Sequence, residues 1–468
     1  MPTGSASRFL ALALAASCLV ACSDDGSDEP PAPRAPVAAD VARAITKALD
    51  RRATAVREAD PTTYDKGLAP GRRFAQRQHT YFANLTQLPL STFDYTLDPA
   101  SLVRDGDAYW AVVRVRMQLD GFDDRPVTTP DRYLFRPARP GSSRMVLAST
   151  TDAAWEKRNH VEPQPWDSGP IEVRTGPGVL GIFDAGSVQH AGTVVGSVVD
   201  AIAGVSAFVP YPWTRAVVVY ALSTNDFLSS IDDLPTGDPE TLDGVAFPVP
   251  VAPGSRRLAA TRFVLNPSML GRSGREQERL VRHEVTHVAV GAHDDGAPVW
   301  LSEGLAEYVS VRPLAPQDRA ISPEGLAAAK AGLDGLPGDD TFNGPDARQH
   351  YAVSWWACEY VASAFGSPAL WSLLDAMAAK GADPDEVLQQ QLGLTPESLA
   401  KRAGRLIVAT YDPDSLLPPE STPSPTPSSS PSASPSGSPS GSPSGSPSGK
   451  ASGSASPSPE SPSPTSTG

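Results

Sequence analysis

The sequence predicts an α+β protein with more than one domain, and three observations support this prediction. The chain has 468 residues, whereas single hydrophobic cores stop growing at about 250–300 residues. Near the N-terminus, helical patterns come first and strand-like runs follow. Further along, a second region begins with strands and then turns helical. Helices and strands that are segregated along the chain, rather than alternating, favour the α+β class.

The first region, residues 38–160, opens with apolar residues at helical spacing. The apolar positions that predict a first helix are Val41, Ile45, Leu49, Ala53 and Val56. A second helix is predicted over residues 72–85. Strand patterns then follow over residues 110–119, 131–137 and 143–150.

This order of elements is similar to the cone-shaped NTF2-like fold, including the gap before residues 76–82. The resemblance implies an NTF2-like cone as the first domain. His79 lies in that segment. A lone histidine is more often a satisfied structural residue than a site residue, and we expect the structural role.

The second region, residues 165–411, begins with strands and ends with helices. Apolar and β-branched runs predict strands over residues 215–221 and 261–265. The stretch Val194–Val209 is apolar enough to suggest a membrane span, but Asp200 lies near its centre. An ordinary buried helix is therefore expected there.

The N-terminus has the features of a secretion signal that occupies residues 1–21. Arg8 supplies the basic start, and Phe9–Val20 is an apolar run too short to span a bilayer. The run ends in Leu-Val-Ala-Cys, which resembles the bacterial lipobox and implies lipidation of Cys22. Cleavage at an Ala-x-Ala site is the alternative. Lipidation would anchor the protein to the extracytoplasmic face of the bacterial cell membrane.

Two polar segments flank the predicted domains. Residues 22–37 are rich in Asp, Pro, Ser and Ala and predict a disordered spacer. Residues 412–468 form a Ser, Pro and Gly tract that cannot bury a core. A stalk that reaches the cell wall and an inert tail are both compatible with this tract.

Charge and cysteine content exclude two further possibilities. The net charge of -14 argues against a nucleic-acid partner, because phosphate contacts require a basic face. Of the 3 cysteines, Cys18 leaves with the signal and Cys22 would carry lipid. Only Cys358 remains, so no intramolecular disulfide is expected.

A helix that carries the motif H-E-x-x-H is the strongest chemical signal in the chain. Ser273–Glu276 fits a capping box, and no helix breaker follows before Gly291. His283 and His287 lie one turn apart on one helix face, so both imidazoles can bind a single zinc ion. Glu284 lies beside them, where a general base can bond the water that attacks the substrate.

A second helix is predicted downstream, over Pro298–Tyr308. It presents Glu303 and Glu307 at i, i+4, and therefore along one face. Because catalytic zinc sites commonly use two histidines and one glutamate, Glu303 is the predicted third ligand. Glu307 is predicted to accept from the free ring N–H of a ligand histidine; a solvated helix charge is the alternative.

These two motifs together resemble the peptidase MA-like gluzincin family, which pairs H-E-x-x-H with a downstream W-L-x-E-G-x-A-x-Y. The resemblance implies a two-lobed domain, with a mixed β lobe before a helical lobe. It also implies zinc-dependent hydrolysis of a peptide or protein substrate, with Glu284 as the base. The interval from His287 to Glu303 is shorter than in the aminopeptidase branch, so endopeptidase and exopeptidase action both stay open.

Three further features bear on the metal ligands, the oxyanion donor and the peptide-binding strand. His293 stands where a metzincin would place a third histidine ligand, but Val290 replaces the glycine of that pattern. Tyr351 is the predicted donor to the developing oxyanion, with His350 as the second choice and a core or capping role as the alternative. An exposed strand at Arg262–Leu265 is predicted to hold the peptide by β-augmentation.

A different class of function stays open from the sequence. The protein could be a non-catalytic envelope lipoprotein whose first region binds a ligand or partner and whose zinc site is structural or vestigial. The intact Glu284 favours an enzyme, because a structural site needs no general base.

Overall fold

The computed structural model describes residues 39–231, 242–272 and 274–416, and they form a mixed α+β architecture. The predicted signal, Cys22, the spacer up to residue 37 and the tail from residue 417 lie outside these residues. Cys358 is a buried free thiol.

The first region consists of three helices, a sheet and a short closing helix. Its helices are α1 (Ala39–Arg57), α2 (Pro61–Lys66), α3 (Arg72–Leu85) and α4 (Ala153–Arg158). Its strands are β1 (Leu90–Leu97), β2 (Val103–Asp105), β3 (Ala108–Leu119), β4 (Val127–Pro137) and β5 (Met145–Ser149). The apolar face predicted for the first helix is buried from Ile45 to Val56, and α1 packs against β1 and β5.

The sheet of the first region is antiparallel, with the strand order β1-β3-β4-β5 and with β2 paired to β3. The three predicted strands correspond to β3, β4 and β5. Strand β1 was not predicted, although Phe93, Tyr95 and Leu97 alternate as buried residues along it. His79, on α3, forms an exposed ion pair with Asp65 at 2.7 Å.

The second region begins with a mixed sheet and continues as a helical layer. Its strands are β6 (Glu172–Gly176), β7 (Val179–Phe183), β8 (Val217–Ala221), β9 (Gly244–Pro250) and β10 (Leu258–Leu265). Helices α5 (Pro165–Ser168) and α6 (Ala191–Ser206) accompany the sheet. The helical layer contains α7 (Pro267–Leu270), α8 (Arg275–Val290), α9 (Val299–Val311), α10 (Pro323–Ala331), α11 (Ala347–Phe365), α12 (Ser367–Met377), α13 (Pro384–Leu392) and α14 (Pro396–Tyr411).

The second sheet is buried on both faces, because each face belongs to a different hydrophobic core. Its strand order is β6-β7-β8-β10-β9. On β8, Val217 and Val219 pack into the core of the helical layer, whereas Val218 and Tyr220 pack into the core of the first region. The near-continuous apolar runs of β7 and β8 follow from this two-sided burial. The two regions therefore share a core among the described residues.

Strand β10 corrects the prediction of an exposed peptide-holding strand at Arg262–Leu265. The strand exists, but it pairs with β8 on one side and with β9 on the other. Its residues from Arg262 to Leu265 are at most 3% exposed. A strand with both edges paired has no free backbone groups to offer a peptide. The edge strand next to β10 is β9, and β6 forms the other edge of the sheet.

Helix α6 contains the apolar stretch that was predicted to be an ordinary core helix. Within the described residues, one helical stretch, Val188–Ser206, is long and apolar enough to cross a membrane, and 28% of it is buried. Its buried positions recur at three- and four-residue intervals from Ala191 to Val205, and the helix packs against α8 and β7.

The motif helix α8 begins at Arg275, and Gly274 occupies the N-cap position with φ of 86°. The predicted capping box placed Ser273 at the N-cap, so the start of the helix is corrected by one residue. Ser273 itself lies outside the described residues. The helix is continuous to Val290 and packs between α6, α9 and the β9–β10 hairpin.

Candidate metal centre

Three potential metal ligands converge from two neighbouring helices. His283 and His287 lie one turn apart on α8, and Glu303 lies on α9, which packs against α8. The Nε2 atoms of the two histidines are 3.2 Å apart. Oε2 of Glu303 lies 3.0 Å from Nε2 of His283 and 3.5 Å from Nε2 of His287. Each residue therefore presents one ligand atom toward a common centre.

These separations fit a zinc ion. Ligand atoms at about 2.0–2.1 Å from a tetrahedral ion lie about 3.3 Å from one another. The three observed separations are 3.0, 3.2 and 3.5 Å. Two imidazoles and one carboxylate are also a donor set that catalytic zinc sites use, with a fourth position left for water. The three side chains are 8%, 16% and 13% exposed, so the centre is shielded.

The second nitrogen of each histidine faces another carboxylate. Nδ1 of His283 lies 3.2 Å from Oε1 of Glu307, an ion-pair distance without linear hydrogen-bond geometry. Nδ1 of His287 lies 3.6 Å from Oδ2 of Asp294. A carboxylate at Nδ1 favours the tautomer that keeps the proton there and leaves the Nε2 lone pair free for a metal. Glu307 is 15% exposed and faces His283 rather than solvent.

Asp294 reaches His287 because α8 ends at a glycine. Gly291 has φ of 58°, a left-handed conformation that glycine adopts without strain, and the chain continues in a short 3-10 turn over Gly291–Asp294. Ser302 donates to Oδ2 of Asp294 at 2.5 Å. Asp294 was not predicted as a site residue; the available signal was an acidic pair that begins three residues after the glycine that ends the motif helix.

Arg279 fixes Glu307 and was also missed. It lies one turn before His283 on α8, and its Nε and Nη2 atoms both donate to Oε2 of Glu307, the former at 3.1 Å. Its guanidinium lies 4.8 Å from the ring centroid of Trp355. Burial alone would raise the pKa of Glu307, but Arg279 and His283 lower it to about 2. The spacing of a cation four residues before a ligand histidine was the signal for this role.

Glu284 is buried beside the triad and touches the edge strand. The residue as a whole is 3% exposed. Burial raises the pKa of Glu284, whereas His283 and His287 and a backbone hydrogen bond from Ala246 of β9 oppose the rise. A Cβ at Gly244 would lie 3.2 Å from Oε1 of Glu284. The glycine therefore allows β9 to approach the carboxylate closely.

A cleft of about 200 Å³ opens onto this cluster. One wall is the β9–β10 hairpin and the opposite wall is formed by α8, the loop after it, α9 and α11. Glu284, both histidines and Glu303 line the cleft together with Leu242, Gly244, Ala246, Pro248, Thr261, Asp294, Asp295, Asn343 and Tyr351.

Tyr351 lies in the cleft wall, and His350 does not. The ring of Tyr351 lies 6.0 Å from that of His283, and its hydroxyl donates to Oδ1 of Asn343 at 3.1 Å. Burial raises the pKa of Tyr351 well above its ordinary value, so the hydroxyl keeps its proton. Nδ1 of His350 lies 2.8 Å from the backbone oxygen of Phe342, and His350 is absent from the cleft lining.

His293, the rival ligand, is occupied elsewhere. Its ring stacks on Tyr211 with a centroid separation of 3.7 Å, and its Nδ1 lies 3.5 Å from Asp375. The side chain is 47% exposed and does not line the cleft. Among the described residues, Glu303 is thus the side chain that completes a group with His283 and His287.

The electrostatics of the triad favour positive charge at its centre. Burial alone lowers the pKa of His283, but Glu303 and Glu307 outweigh burial and raise it to about 9. Burial alone would raise the pKa of Glu303, but the two histidines outweigh burial and lower this pKa well below its usual range. The carboxylates of this buried cluster stabilise positively charged imidazoles, and a divalent cation bound between neutral imidazoles would balance the same negative charge.

The chain matches no protein-family model, and no curated protein matches its sequence.

Proposed function

We propose that this protein is a zinc metallopeptidase that hydrolyses peptide bonds, with Glu284 as the general base. The observation that supports the proposal best is the convergence of His283, His287 and Glu303 at ligand separations suited to zinc. Glu284 lies at the same cleft, with β9 beside it. A structural zinc site would need neither a cleft nor a buried base.

The three ligands would hold zinc, and Glu307 and Asp294 would orient the two imidazoles. Bound zinc would polarise the scissile carbonyl and lower the pKa of water. The chain's own contribution to the chemistry then rests on Glu284 and Tyr351.

Glu284 accepts a proton from the attacking water while the water oxygen bonds to the carbonyl carbon. The carboxyl group then returns this proton to the nitrogen as the carbon–nitrogen bond breaks. Because burial raises the pKa of Glu284, its carboxyl group is a better proton acceptor than an exposed glutamate. Tyr351 is protonated and lines the cleft, so its hydroxyl can donate to the developing oxyanion.

Strand β9 is the proposed peptide-binding edge, in place of the buried Arg262–Leu265 segment. It pairs with β10 on one side only within its sheet, and Gly244, Ala246 and Pro248 line the cleft. An extended peptide that adds to this edge gains backbone hydrogen bonds without depending on its side chains.

The wider assignment is part of the same proposal. We infer a gluzincin-type domain behind an NTF2-like region, anchored through Cys22 to the extracytoplasmic face of the bacterial membrane. The motif pair at α8 and α9 and the lipobox-like N-terminus support this assignment.

The test compares the full ectodomain with Glu284→Gln. The wild-type protein is expected to bind one zinc ion per chain and to hydrolyse casein or a mixed peptide library. The variant should keep its zinc and lose at least about 100-fold in rate, since a positioned general base contributes about 10²–10⁴-fold. Glu278→Gln is the matched control, because Glu278 lies on the same helix with its side chain 48% exposed.

Two outcomes would contradict the proposal. Hydrolysis that survives Glu284→Gln unchanged would remove Glu284 from the mechanism. Zinc binding by a wild-type protein that cleaves no substrate would favour the envelope lipoprotein with a structural or vestigial zinc site.

A further inference from the structure

Strand β9 separates the cleft from the core of the first region. Val245 and Phe247 are 5% and 7% exposed, and they pack into the core that contains the helices and sheet of the first region. Gly244, Ala246 and Pro248 alternate with them and line the cleft, and Val245 also contributes to its lining. Because side chains alternate between the two faces of a strand, the first region forms the backing of one cleft wall.

The turn between β3 and β4 and the start of β4 join this wall through one backbone hydrogen bond each. The N–H of Asp124 donates to the oxygen of Ala259 at 2.8 Å, and the N–H of Thr128 donates to the oxygen of Val251 at 2.9 Å. Ala259 lies on β10, and Val251 follows β9 directly. The β9–β10 hairpin is therefore attached to the first region at the end remote from Gly244.

A buried ion pair makes the same connection between side chains. Nη2 of Arg262, on β10, donates to Oδ1 of Asp123 at 2.7 Å, and the two side chains are 2% and 1% exposed. Oδ2 of Asp123 accepts from the N–H of Leu119 at 2.8 Å. Nη1 of Arg262 donates to the hydroxyl of Tyr220 at 2.8 Å.

One donor of this ion pair is left unsatisfied. Nε of Arg262 is buried without a hydrogen-bond partner. Apolar side chains of similar volume often replace a buried ion pair without loss of stability, whereas a charged pair can specify one arrangement of the elements that carry it. A buried charged pair at this place is compatible with a role in positioning the two elements that carry it.

We propose that Asp123 is a positioning residue for the hydrolytic site and acts through Arg262. This inference rests on the proposed function. Arg262 pairs in register with Phe247, and the neighbouring residue on β9, Ala246, forms the backbone hydrogen bond to Glu284. The first region thereby sets the distance between the peptide-binding edge and the catalytic base.

The decisive variant replaces both partners, as Asp123→Leu with Arg262→Met, because apolar substitution avoids an unpaired buried charge. Asp123→Asn is the conservative variant, and Asp94→Asn is the control, since Asp94 forms an exposed ion pair with Arg116 in the same region. Circular dichroism and zinc content establish that each full-length variant is folded and loaded.

The readouts are the amide hydrogen exchange of β9 and the kinetics of peptide cleavage. In the double variant we expect at least about tenfold faster exchange at the amides of residues 244–247 and 249, because Pro248 and Pro250 carry no amide hydrogen. We also expect at least about a tenfold higher KM, with zinc content unchanged. Asp123→Asn should give a smaller effect on both, and Asp94→Asn should match the wild type.

Wild-type exchange and KM in the double variant would overturn the positioning role and leave the pair with a structural one. If Asp123→Asn fails to fold, the double variant still decides the question. If the wild type cleaves nothing, the proposed function fails, whereas the exchange of β9 still tests whether the first region holds this strand.

Discussion

Replacing Gly304 with alanine tests whether the close approach of α9 and α11 fixes the position of Glu303. Gly304 directly follows the proposed ligand, and a Cβ there would lie 2.5 Å from the backbone oxygen of Ser354 and 2.9 Å from Sγ of Cys358. The oxygen belongs to the backbone of α11 and cannot rotate away. To bring the first contact to 3.0 Å, the helices would have to separate by about 0.5 Å, in a core that is close-packed.

The magnitude follows from two opposed effects. Alanine in a helix interior is more favourable than glycine by about 1 kcal/mol, whereas overpacking costs about 1–3 kcal/mol. We therefore expect Gly304→Ala to lower the free energy of unfolding by up to about 2 kcal/mol. Because a metal site must be held within about 0.5 Å of its productive geometry, we also expect a shift of this size to lower zinc affinity about tenfold, within the range for disturbed metal-site surroundings.

Urea unfolding and a competitive chelator titration measure the two quantities. Gly196→Ala is the control, because Gly196 lies on α6 and a Cβ there meets nothing within 4 Å. That substitution should raise stability by about 1 kcal/mol. If Gly304→Ala behaves like the control and keeps full zinc affinity, the packing argument for Glu303 is refuted.

Three other substitutions test separate parts of the structure. Arg279→Met should lower zinc affinity about 10–100-fold, because Glu307 loses the cation that holds it against a ligand histidine; Arg275→Met, which removes a more exposed ion pair on the same helix, should not. His293→Ala should leave zinc stoichiometry in equilibrium dialysis unchanged, since the ring stacks on a tyrosine outside the cleft. Loss of the zinc ion in this variant would instead identify His293 as a ligand. Burial raises the pKa of Asp131 to about 8, so the folded state binds the extra proton and stability falls as pH rises from about 4 to 8. Asp131→Asn should therefore stabilise the protein by at least about 1 kcal/mol at pH 8 and little at pH 4 in urea unfolding, and an equal effect at both pH values would contradict the raised pKa of Asp131.

The sequence was informative wherever a property depends on neighbours within two helical turns. The 3.6-residue period places His283 and His287 on one face of α8, and it places Glu303 and Glu307 on one face of α9. The same period located α1 and α3, and apolar alternation located β3 to β5. The short strands β6 and β7 escaped prediction. The five residues of β6 are mostly polar, and the five-residue apolar run of β7 carries too little periodicity to separate a strand from a buried helix.

Properties that depend on pairing between distant segments required the tertiary structure. Arg262–Leu265 has the composition of a strand, but only the pairing of β10 with β8 and β9 shows that it lies inside the sheet. The continuous apolar run of β8 likewise predicts that both faces of the strand are buried. It does not indicate that the first region covers one of these faces.

For the candidate site, the sequence by itself determined the two helices and the candidate ligands that they carry, since helical geometry is local. The tertiary structure decided which groups surround those ligands. It brought Asp294 to His287, Arg279 to Glu307 and the edge of β9 to Glu284. These contacts depend on where loops close and helices cross, and burial and packing of the whole chain, rather than any local pattern, fix both.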